Sequence, residues 1–361
     1  ISVTPSIVYA DTLLTCEAVA SDAEHEEVTI SYAWSNQDGT ALGTDATLQL
    51  DPSIAAVLDV ITCSVVATDP HGDTYTDSSG VAVTNTDPVV TTEAAISGTP
   101  TTTNTLTCSA VFDDLNDGAL SLSYSWTNQD GTELSTTDSY MIAASETDTG
   151  DVLTCTVSSS DSQGVAIDSS ASITIENTAP VIASVSLDNT TPTSQDSLTC
   201  TVDSASDIDE DPITYTYTWT VDGQVQSQSS NMFASPLLVG SLISCTVTPN
   251  DGKTDGDTAT VDTTVQNTAP TVTSVSLGSG PYYTNDAIAA TAVLSDVDVE
   301  QTLTANYEWH LVDSSAGNID LMVQTGSVDS LDGTQFFDRD DSVYVIVTPN
   351  DGVDDGATLT S

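Results

Sequence analysis

Acidic side chains recur in similar stretches of this sequence, and their oxygens are the atoms that could do chemistry. Carboxylates stand at alternate positions, with one amide among them: Asp22, Glu24 and Glu26; Asp114 and Asn116; Asp207, Asp209 and Asp211; Asp296, Asp298 and Glu300. A single aspartate follows later in each stretch: Asp69, Asp161, Asp251 and Asp351. Ca²⁺ takes about six to eight oxygen ligands at relaxed geometry, whereas Mg²⁺ demands a tighter octahedron. The pattern therefore predicts Ca²⁺ sites.

A second interpretation of the same residues stays open. Aspartate is favoured in turns for backbone reasons alone, so these side chains could serve only to shape loops. The fullest run, in the third stretch, is not an EF-hand, because no glycine stands at its loop position six and no glutamate at twelve. The full D-x-D-x-D run of Asp207, Asp209 and Asp211 makes the third stretch the best cation candidate.

The acidic residues do not favour an enzyme. A glycosidase needs two carboxyl groups with different roles across one cleft, whereas here near-equal sets are repeated. His25, His71 and His310 recur in no repeat and have no nucleophile at a motif spacing. We therefore expect a protein without catalytic activity.

Net charge and hydropathy limit which classes of partner this chain can bind. The 361 residues include 54 acidic and only 2 basic ones, for a net charge of −52. Such a chain repels nucleic acid and anionic lipid, and no apolar run is long enough to enter a membrane. The remaining explanations for the charge are divalent cation binding, a high-salt habitat and solubility.

The elements that must position the carboxylates are β-strands. Apolar and polar residues alternate between Asp207 and Gly223, with Ile213, Tyr215, Tyr217, Trp219 and Val221 on one face. The same stripe leads to Trp34, Trp126 and Trp309, which predicts four strands that each bury a tryptophan. Asn-Thr-x-Pro segments separate the copies. We thus expect four domains, at 1–86, 87–178, 179–268 and 269–361.

Cysteine spacing predicts one disulfide in each of the first three repeats. The pairs are Cys16 with Cys63, Cys108 with Cys155, and Cys200 with Cys245. Closing loops of this length contributes about 3–4 kcal/mol on the chain-entropy account, and disulfides imply an oxidising, extracellular location. The fourth repeat has Ala290 and Val345 instead, so it must be held by packing alone.

Short strands, frequent turn signals and the order Cys…Trp…Cys are typical of an immunoglobulin-like sandwich. The whole chain resembles the tandem Ig-like and polycystic-kidney-disease-like (cadherin-like) repeats of large secreted and surface proteins, chiefly bacterial. It departs from the second family's WDFGDG box, reading WSNQDG, WTNQDG and WTVDG. The resemblance implies an all-β fold of four tandem immunoglobulin-like β-sandwich domains in an elongated array.

In such sandwiches the acidic loop, the later hairpin and the incoming linker share one end. We therefore expect a structural segment of an extracellular stalk, adhesin or filament, stiffened by disulfides and by Ca²⁺ at the module junctions. Its partners would be neighbouring repeats or other copies, head to tail. The first and last repeats look short, which predicts a window from a longer array or edges completed by neighbours.

Two other functions stay open. The modules could bind a glycan or a protein, with exposed aromatic residues in one repeat. Only the fourth repeat offers these residues: Tyr282, Tyr283, Phe336 and Phe337. Alternatively, the chain is a surface protein of a high-salt habitat, in which case the charge serves hydration rather than specific sites.

Overall fold

The computed structural model describes residues 1–234 and 236–361. The chain is all-β apart from one short helix among these residues. It divides into two compact units, Ile1–Thr178 and Ala179–Ser361, and each contains two of the sequence repeats. No helix in the described part of the chain is long and apolar enough to cross a membrane.

The first repeat begins the first unit and forms two antiparallel sheets. One sheet has the order β1-β2-β5 and the other β4-β3-β6-β7. A parallel bridge from Val8 to Val83 ties the initial segment to the end of the last strand. The strands are β1 (Ser2–Thr4), β2 (Leu13–Glu17), β3 (Thr29–Ser35), β4 (Ala41–Gly43), β5 (Thr47–Gln49), β6 (Val60–Thr68) and β7 (Thr74–Ala82).

The second repeat has the same plan within the first unit. One sheet has the order β10-β9-β13, with β8 also paired to β9, and the other has the order β12-β11-β14-β15. The strands are β8 (Val89–Ser97), β9 (Thr105–Asp114), β10 (Gly118–Ala119), β11 (Ser123–Thr127), β12 (Glu133–Ser135), β13 (Ser139–Met141), β14 (Val152–Ser160) and β15 (Ala166–Thr174).

The third repeat opens the second unit. Its sheets have the orders β16-β17-β20 and β19-β18-β21-β22. The strand β18 carries the alternating Thr/Tyr run that the sequence singles out. The strands are β16 (Val181–Leu187), β17 (Leu198–Ser206), β18 (Thr214–Val221), β19 (Gln224–Val225), β20 (Met232–Phe233), β21 (Leu242–Asn250) and β22 (Ala259–Thr264).

The fourth repeat completes the second unit with sheets ordered β23-β24-β27 and β26-β25-β28-β29. The helix α1 (Gly333–Phe336) is capped by the side chain of Asp332, which accepts from the backbone N–H of Thr334. The strands are β23 (Thr271–Leu277), β24 (Ala287–Ser295), β25 (Thr304–Asp313), β26 (Ile319–Gly326), β27 (Ser330–Asp332), β28 (Ser342–Asn350) and β29 (Leu359–Thr360).

Each repeat has its own buried cluster around one tryptophan. Trp34, Trp126, Trp219 and Trp309 are all at most 1% exposed, as the alternating pattern predicts. Burial of an indole requires a partner for its N–H. The N–H groups of the first three donate to loop carbonyls at 2.9, 3.1 and 2.9 Å, and that of Trp309 to one at 3.3 Å.

Disulfides connect the two sheets beside the tryptophans. The described residues contain the three predicted pairs, Cys16–Cys63, Cys108–Cys155 and Cys200–Cys245. In the fourth repeat, Ala290 and Val345 are buried at the equivalent places, so apolar packing takes the place of the bond. Paired sheets, an inter-sheet disulfide and a buried tryptophan on the next strand define immunoglobulin-like sandwiches. The disulfides indicate folding in an oxidising compartment.

Candidate cation sites at the acidic poles

We call the end of a repeat that holds its alternating acidic residues and its hairpin aspartate the acidic pole. Each hairpin aspartate uses one oxygen, Oδ1, to close its own turn. Asp161 Oδ1 accepts from the backbone N–H groups of Gln163 and Val165 at 3.0 and 2.7 Å. Asp69, Asp251 and Asp351 accept from their hairpins in the same way. The interpretation of these aspartates as turn formers therefore accounts for the role of Oδ1.

The other oxygen of the hairpin aspartate holds the incoming linker wherever both belong to one unit. Asn85 donates its amide to Asp161 Oδ2 at 2.8 Å, and Asn267 donates to Asp351 Oδ2 at 2.9 Å. The bond from Asn85 is the main reason that the pKa of Asp161 is lowered. Burial by itself would raise the pKa of Asp351, but the bond from Asn267 and those from the hairpin backbone lower it overall.

The next linker residue binds the acidic loop. The backbone N–H of Thr86 donates to Asn116 Oδ1 at 2.8 Å, and that of Thr268 donates to Asp298 Oδ2 at 2.7 Å. The Asn-Thr dipeptide is thus held by two loops of the repeat that follows it. Linker, acidic loop and hairpin meet at one place in each unit.

Buried carboxylate oxygens without partners lie at these places. Asp114 is 3% exposed, and its Oδ1 accepts from Asn116 and Asp117 at 2.7 and 3.0 Å. Its Oδ2 has no hydrogen-bond partner in the described ranges. Asp298 is 4% exposed and its Oδ1 is likewise unpartnered among the residues described. Desolvating such an oxygen without compensation is costly, so both aspartates fit a cation ligand.

Further buried oxygens at the same poles are also unpartnered within the described structure. In the first unit this holds for Asn85 Oδ1. In the second unit it holds for Thr268 Oγ1, Asp296 Oδ2 and Gln301 Oε1. Carboxylate, amide and hydroxyl oxygens are the hard ligands that Ca²⁺ prefers.

The pole of the third repeat differs, because it contains a lysine. Oxygens of Asp207, Asp209 and Asp211 lie within 4.8 Å of one another, the arrangement expected of a cation site. Lys253 Nζ, however, donates to Asp211 Oδ2 at 2.7 Å. This bond and the nearby carboxylates raise the pKa of Lys253. The negative charge of the D-x-D-x-D run is therefore partly balanced by a lysine of the same repeat.

The first repeat has a more open pole. Asp22 accepts from the backbone of Glu24 at 2.6 Å, while Glu26 contacts His71 Nδ1 at 3.0 Å. Asp22 and Asp69 both line an open cavity of about 410 Å³. Glu24 and Glu300 are exposed, and their carboxylates make no hydrogen bond in the described part of the chain. The middle alternating position of the first repeat and the last one of the fourth are therefore not drawn into the poles.

Sequence reasoning brought the incoming Asn-Thr-x-Pro linker to this end of the repeat, but it assigned no individual linker residue to the site. The available signal was the recurrence of the polar Asn and Thr side chains at a fixed distance from each repeat. Gln301 has no such recurrence and could be found only from its bond to Asn267 Oδ1 at 2.6 Å.

No family model matches the sequence, and no curated protein matches it. Among solved structures, the chain is similar to three N-terminal domains of the Highly Immunogenic Outer Capsid protein of bacteriophage RB49, at 14% identity, 76% coverage of this chain, 97% of that chain and a TM-score of 0.24. It is similar to a tetra-tandem repeat in the extending region of a large adhesion protein, at 18% identity, 99% and 96% coverage and a TM-score of 0.30. It is also similar to extracellular cadherin domains 3–6 of protocadherin gamma B2, at 15% identity, 99% and 95% coverage and a TM-score of 0.29. These values carry no conclusion about function.

Proposed function

We propose that this chain is a non-enzymatic structural segment of an extracellular stalk, adhesin or filament whose module junctions bind Ca²⁺. The observation that carries the proposal is the pair of buried, unpartnered carboxylate oxygens at Asp114 and Asp298, each beside a docked Asn-Thr linker. Four Ig-like domains with the boundaries expected from the linkers would be the modules. Neighbouring repeats or other copies, arranged head to tail, would be the partners.

Electrostatics explains why such a segment would use calcium. Each acidic pole gathers carboxylates in a chain of net charge −52, so their repulsion opposes a compact junction. A divalent ion bound to Asp114 or Asp298 would cancel part of this repulsion and satisfy the unpartnered oxygens. Because the linker bonds the same loops, the ion would also limit bending between the repeats.

The hydrogen bonds at the linkers support a mechanical role even without an ion. Asn85 and Thr86 fix their linker to the second repeat, and Asn267 and Thr268 fix theirs to the fourth. Together with the disulfides of the first three repeats, these bonds would keep the junction inside each unit partly ordered in the absence of Ca²⁺. The ion would then act as a stiffener rather than as a condition for folding.

Thermal unfolding of the whole chain tests the proposal. The wild type is compared in millimolar Ca²⁺ and in chelator, at constant ionic strength. Binding to the native state alone adds about 2.7 kcal/mol at a hundredfold excess over Kd. Asp114→Asn keeps the accepting Oδ1 but removes the charge, so we expect it to lose the calcium-dependent increment of its own junction.

Asp138→Asn is the matched control, because Asp138 is an exposed residue of the same repeat and the change in charge is identical. We expect this variant to keep the full calcium response. An equal response of the wild type to Ca²⁺ and to matched NaCl, or an equal loss in both variants, would show that the charge acts only diffusely.

A further inference from the structure

The fourth repeat has a pocket that plays no part in the proposed function. A cavity of about 770 Å³ lies beside the end of β23 and the loop before β28. This volume lies within the range of about 300–1,000 Å³ that is usual for small-ligand sites. The pocket is at the end of the repeat away from the acidic pole, since β28 runs from Ser342 beside the pocket to Asn350 beside the hairpin. At about 3.3 Å per residue, the strand β28 separates the two ends by roughly 25 Å.

A turn that the third and fourth repeats share presents the pocket's exposed aromatic ring. The backbone N–H of Thr193 donates to Asp196 Oδ2 at 2.7 Å, and that of Tyr283 donates to Asp286 Oδ2 at 2.7 Å. The turn forms with threonine in one repeat and tyrosine in the other, so its fold does not require the ring. Tyr283 is nevertheless 67% exposed, and it is one of the residues that line the cavity.

The walls of the pocket are apolar and fixed by packing. Phe337 is 8% exposed and packs so closely on Gly333 that a Cβ there would lie 2.5 Å from its ring. The hydroxyl of Tyr282 covers Gly278 in the same way, at 2.6 Å from where a Cβ would be. Of the four aromatic residues expected to be exposed, only Tyr283 is exposed: Tyr282 and Phe336 are half-buried, and Phe337 is buried. Tyr282 and Phe337 line the pocket together with Tyr283.

The rim supplies both kinds of hydrogen-bonding group. The carboxylate of Asp341 already has partners within the protein, because it accepts from the backbone N–H groups of Asp338 and Ser314, each at 2.9 Å. The exposed carboxylate of Asp338 is an acceptor that faces no partner in the described structure. Arg339, which also lines the cavity, is 3.8 Å from Asp340 and provides donors only.

We propose that this pocket binds a ring of a neutral glycan. Sugar rings combine an apolar face, which packs on an aromatic side chain, with hydroxyl groups that each donate and accept. Tyr283 would stack on the ring, Asp338 would accept from one hydroxyl and Arg339 would donate to another.

Charge distinguishes this ligand from two others. An anionic ligand would be repelled by the three aspartates of the rim and by the chain's net charge of −52. The same net charge attracts a basic peptide to the chain as a whole, but at the rim such a peptide would meet Arg339, and one of the three carboxylates there already accepts from backbone amides. A neutral polyol needs the mixture of acceptor and donor that the rim presents.

A glycan array tests the proposal on the whole chain. It is printed with neutral oligosaccharides of glucose, galactose, mannose and N-acetylglucosamine, and any positive glycan is then titrated by calorimetry. Tyr283→Thr introduces the residue that the third repeat has in the same turn, so the fold is retained. We expect it to weaken binding at least tenfold. Tyr75→Thr, at a tyrosine that is 71% exposed in the first repeat, is the control and should bind like the wild type.

A second variant and two further probes complete the design. Asp338→Asn changes an exposed carboxylate of the rim, and we expect several-fold weaker binding. Oligolysine and heparin are titrated alongside, and all measurements are repeated in chelator so that junction calcium is tested separately. The proposal is overturned if no neutral glycan binds at millimolar concentration, if oligolysine alone binds, or if the two tyrosine variants bind equally.

Discussion

Individual side chains that bond two partners at the same time determine much of the chemistry of this chain. A hairpin aspartate such as Asp161 gives one oxygen to its own turn and the other to the linker residue Asn85. Calcium chemistry and turn chemistry are therefore not exclusive interpretations of one residue type. The oxygens that close the turns and the oxygens without partners are different atoms, and within residues 1–234 and 236–361 the unpartnered ones lie mainly in the acidic loops.

Lys253 permits a prediction about the third repeat. Its ammonium is 2.7 Å from Asp211, where the fourth repeat has Val353 at the corresponding hairpin position. Lys253→Val removes the internal cation, so we expect calcium to raise the melting temperature more than in the wild type. Lys253→Arg keeps the charge and serves as control. Equal calcium responses in all three proteins would show that Lys253 does not compete with the ion.

His310 permits a prediction about pH. Its ring nitrogens contact Glu308 at 2.8 Å and Asp320 at 2.9 Å, and the ring stacks on Tyr344 at 4.7 Å between centroids. Burial alone would lower the pKa of His310, but the hydrogen bonds and charges of the two carboxylates raise it overall. The folded state therefore holds the proton more tightly than the unfolded state.

The sign follows from linkage. Stabilisation by His310 is complete below its unfolded pKa of about 6.5 and is lost as the pH rises through the higher folded value. We expect the melting temperature of the fourth repeat to fall as the pH rises above about 6.5 and this fall to disappear in His310→Gln. His71→Gln, at an exposed histidine, is the control and should keep it. An unchanged profile in His310→Gln would contradict the assignment.

At the scale of elements, the disulfide strands and their cysteine-free counterparts form a natural comparison. Cys108 on β9 and Cys155 on β14 join the two sheets of the second repeat, whereas the fourth repeat buries Ala290 and Val345. The same sandwich thus forms with or without the bond. The disulfide acts mainly on the unfolded chain.

Replacing the bond by its apolar counterpart should therefore destabilise the repeat without changing its fold. For Cys108→Ala/Cys155→Val we expect a loss of about 3–4 kcal/mol. Hydrogen–deuterium exchange locates the effect, with faster exchange in β9 and β14 and unchanged exchange in β2 and β6 of the first repeat. Slower or equal exchange in β9 would contradict the expectation.

At the scale of the whole molecule, the domain boundaries remain a prediction. The buried cluster of the second repeat runs from Leu106 to Ile175, and its sheets lie within 87–178. A fragment of residues 87–178 should therefore unfold cooperatively on its own. A fragment of residues 83–178 also contains Asn85 and Thr86, which bond Asp161 and Asn116.

We expect the longer fragment to be more stable by about 1–2 kcal/mol, because hydrogen bonds such as these two partly buried ones contribute about 1 kcal/mol each. Urea unfolding of both fragments measures the difference. Asn85→Ala in the longer fragment should remove about half of it. A fragment of residues 87–178 without a cooperative transition would show that the repeat is not an independent domain.

The sequence by itself determined the local features of this protein. Alternation placed Trp219 and its three counterparts in the core, and cysteine order predicted the disulfides. Both follow from rules that act within one strand or between two fixed positions. The all-β tandem Ig-like fold followed from the same patterns.

Only the tertiary structure decided which atoms are used. Asn85 bonds Asp161 across 76 residues, and Asn267 bonds Asp351 across 84 residues. It also separated exposed Tyr283 from buried Phe337 and placed Lys253 on Asp211 in the D-x-D-x-D run. Composition and spacing cannot specify such choices, because hydrogen bonds and burial depend on where distant loops meet after the sheets have packed.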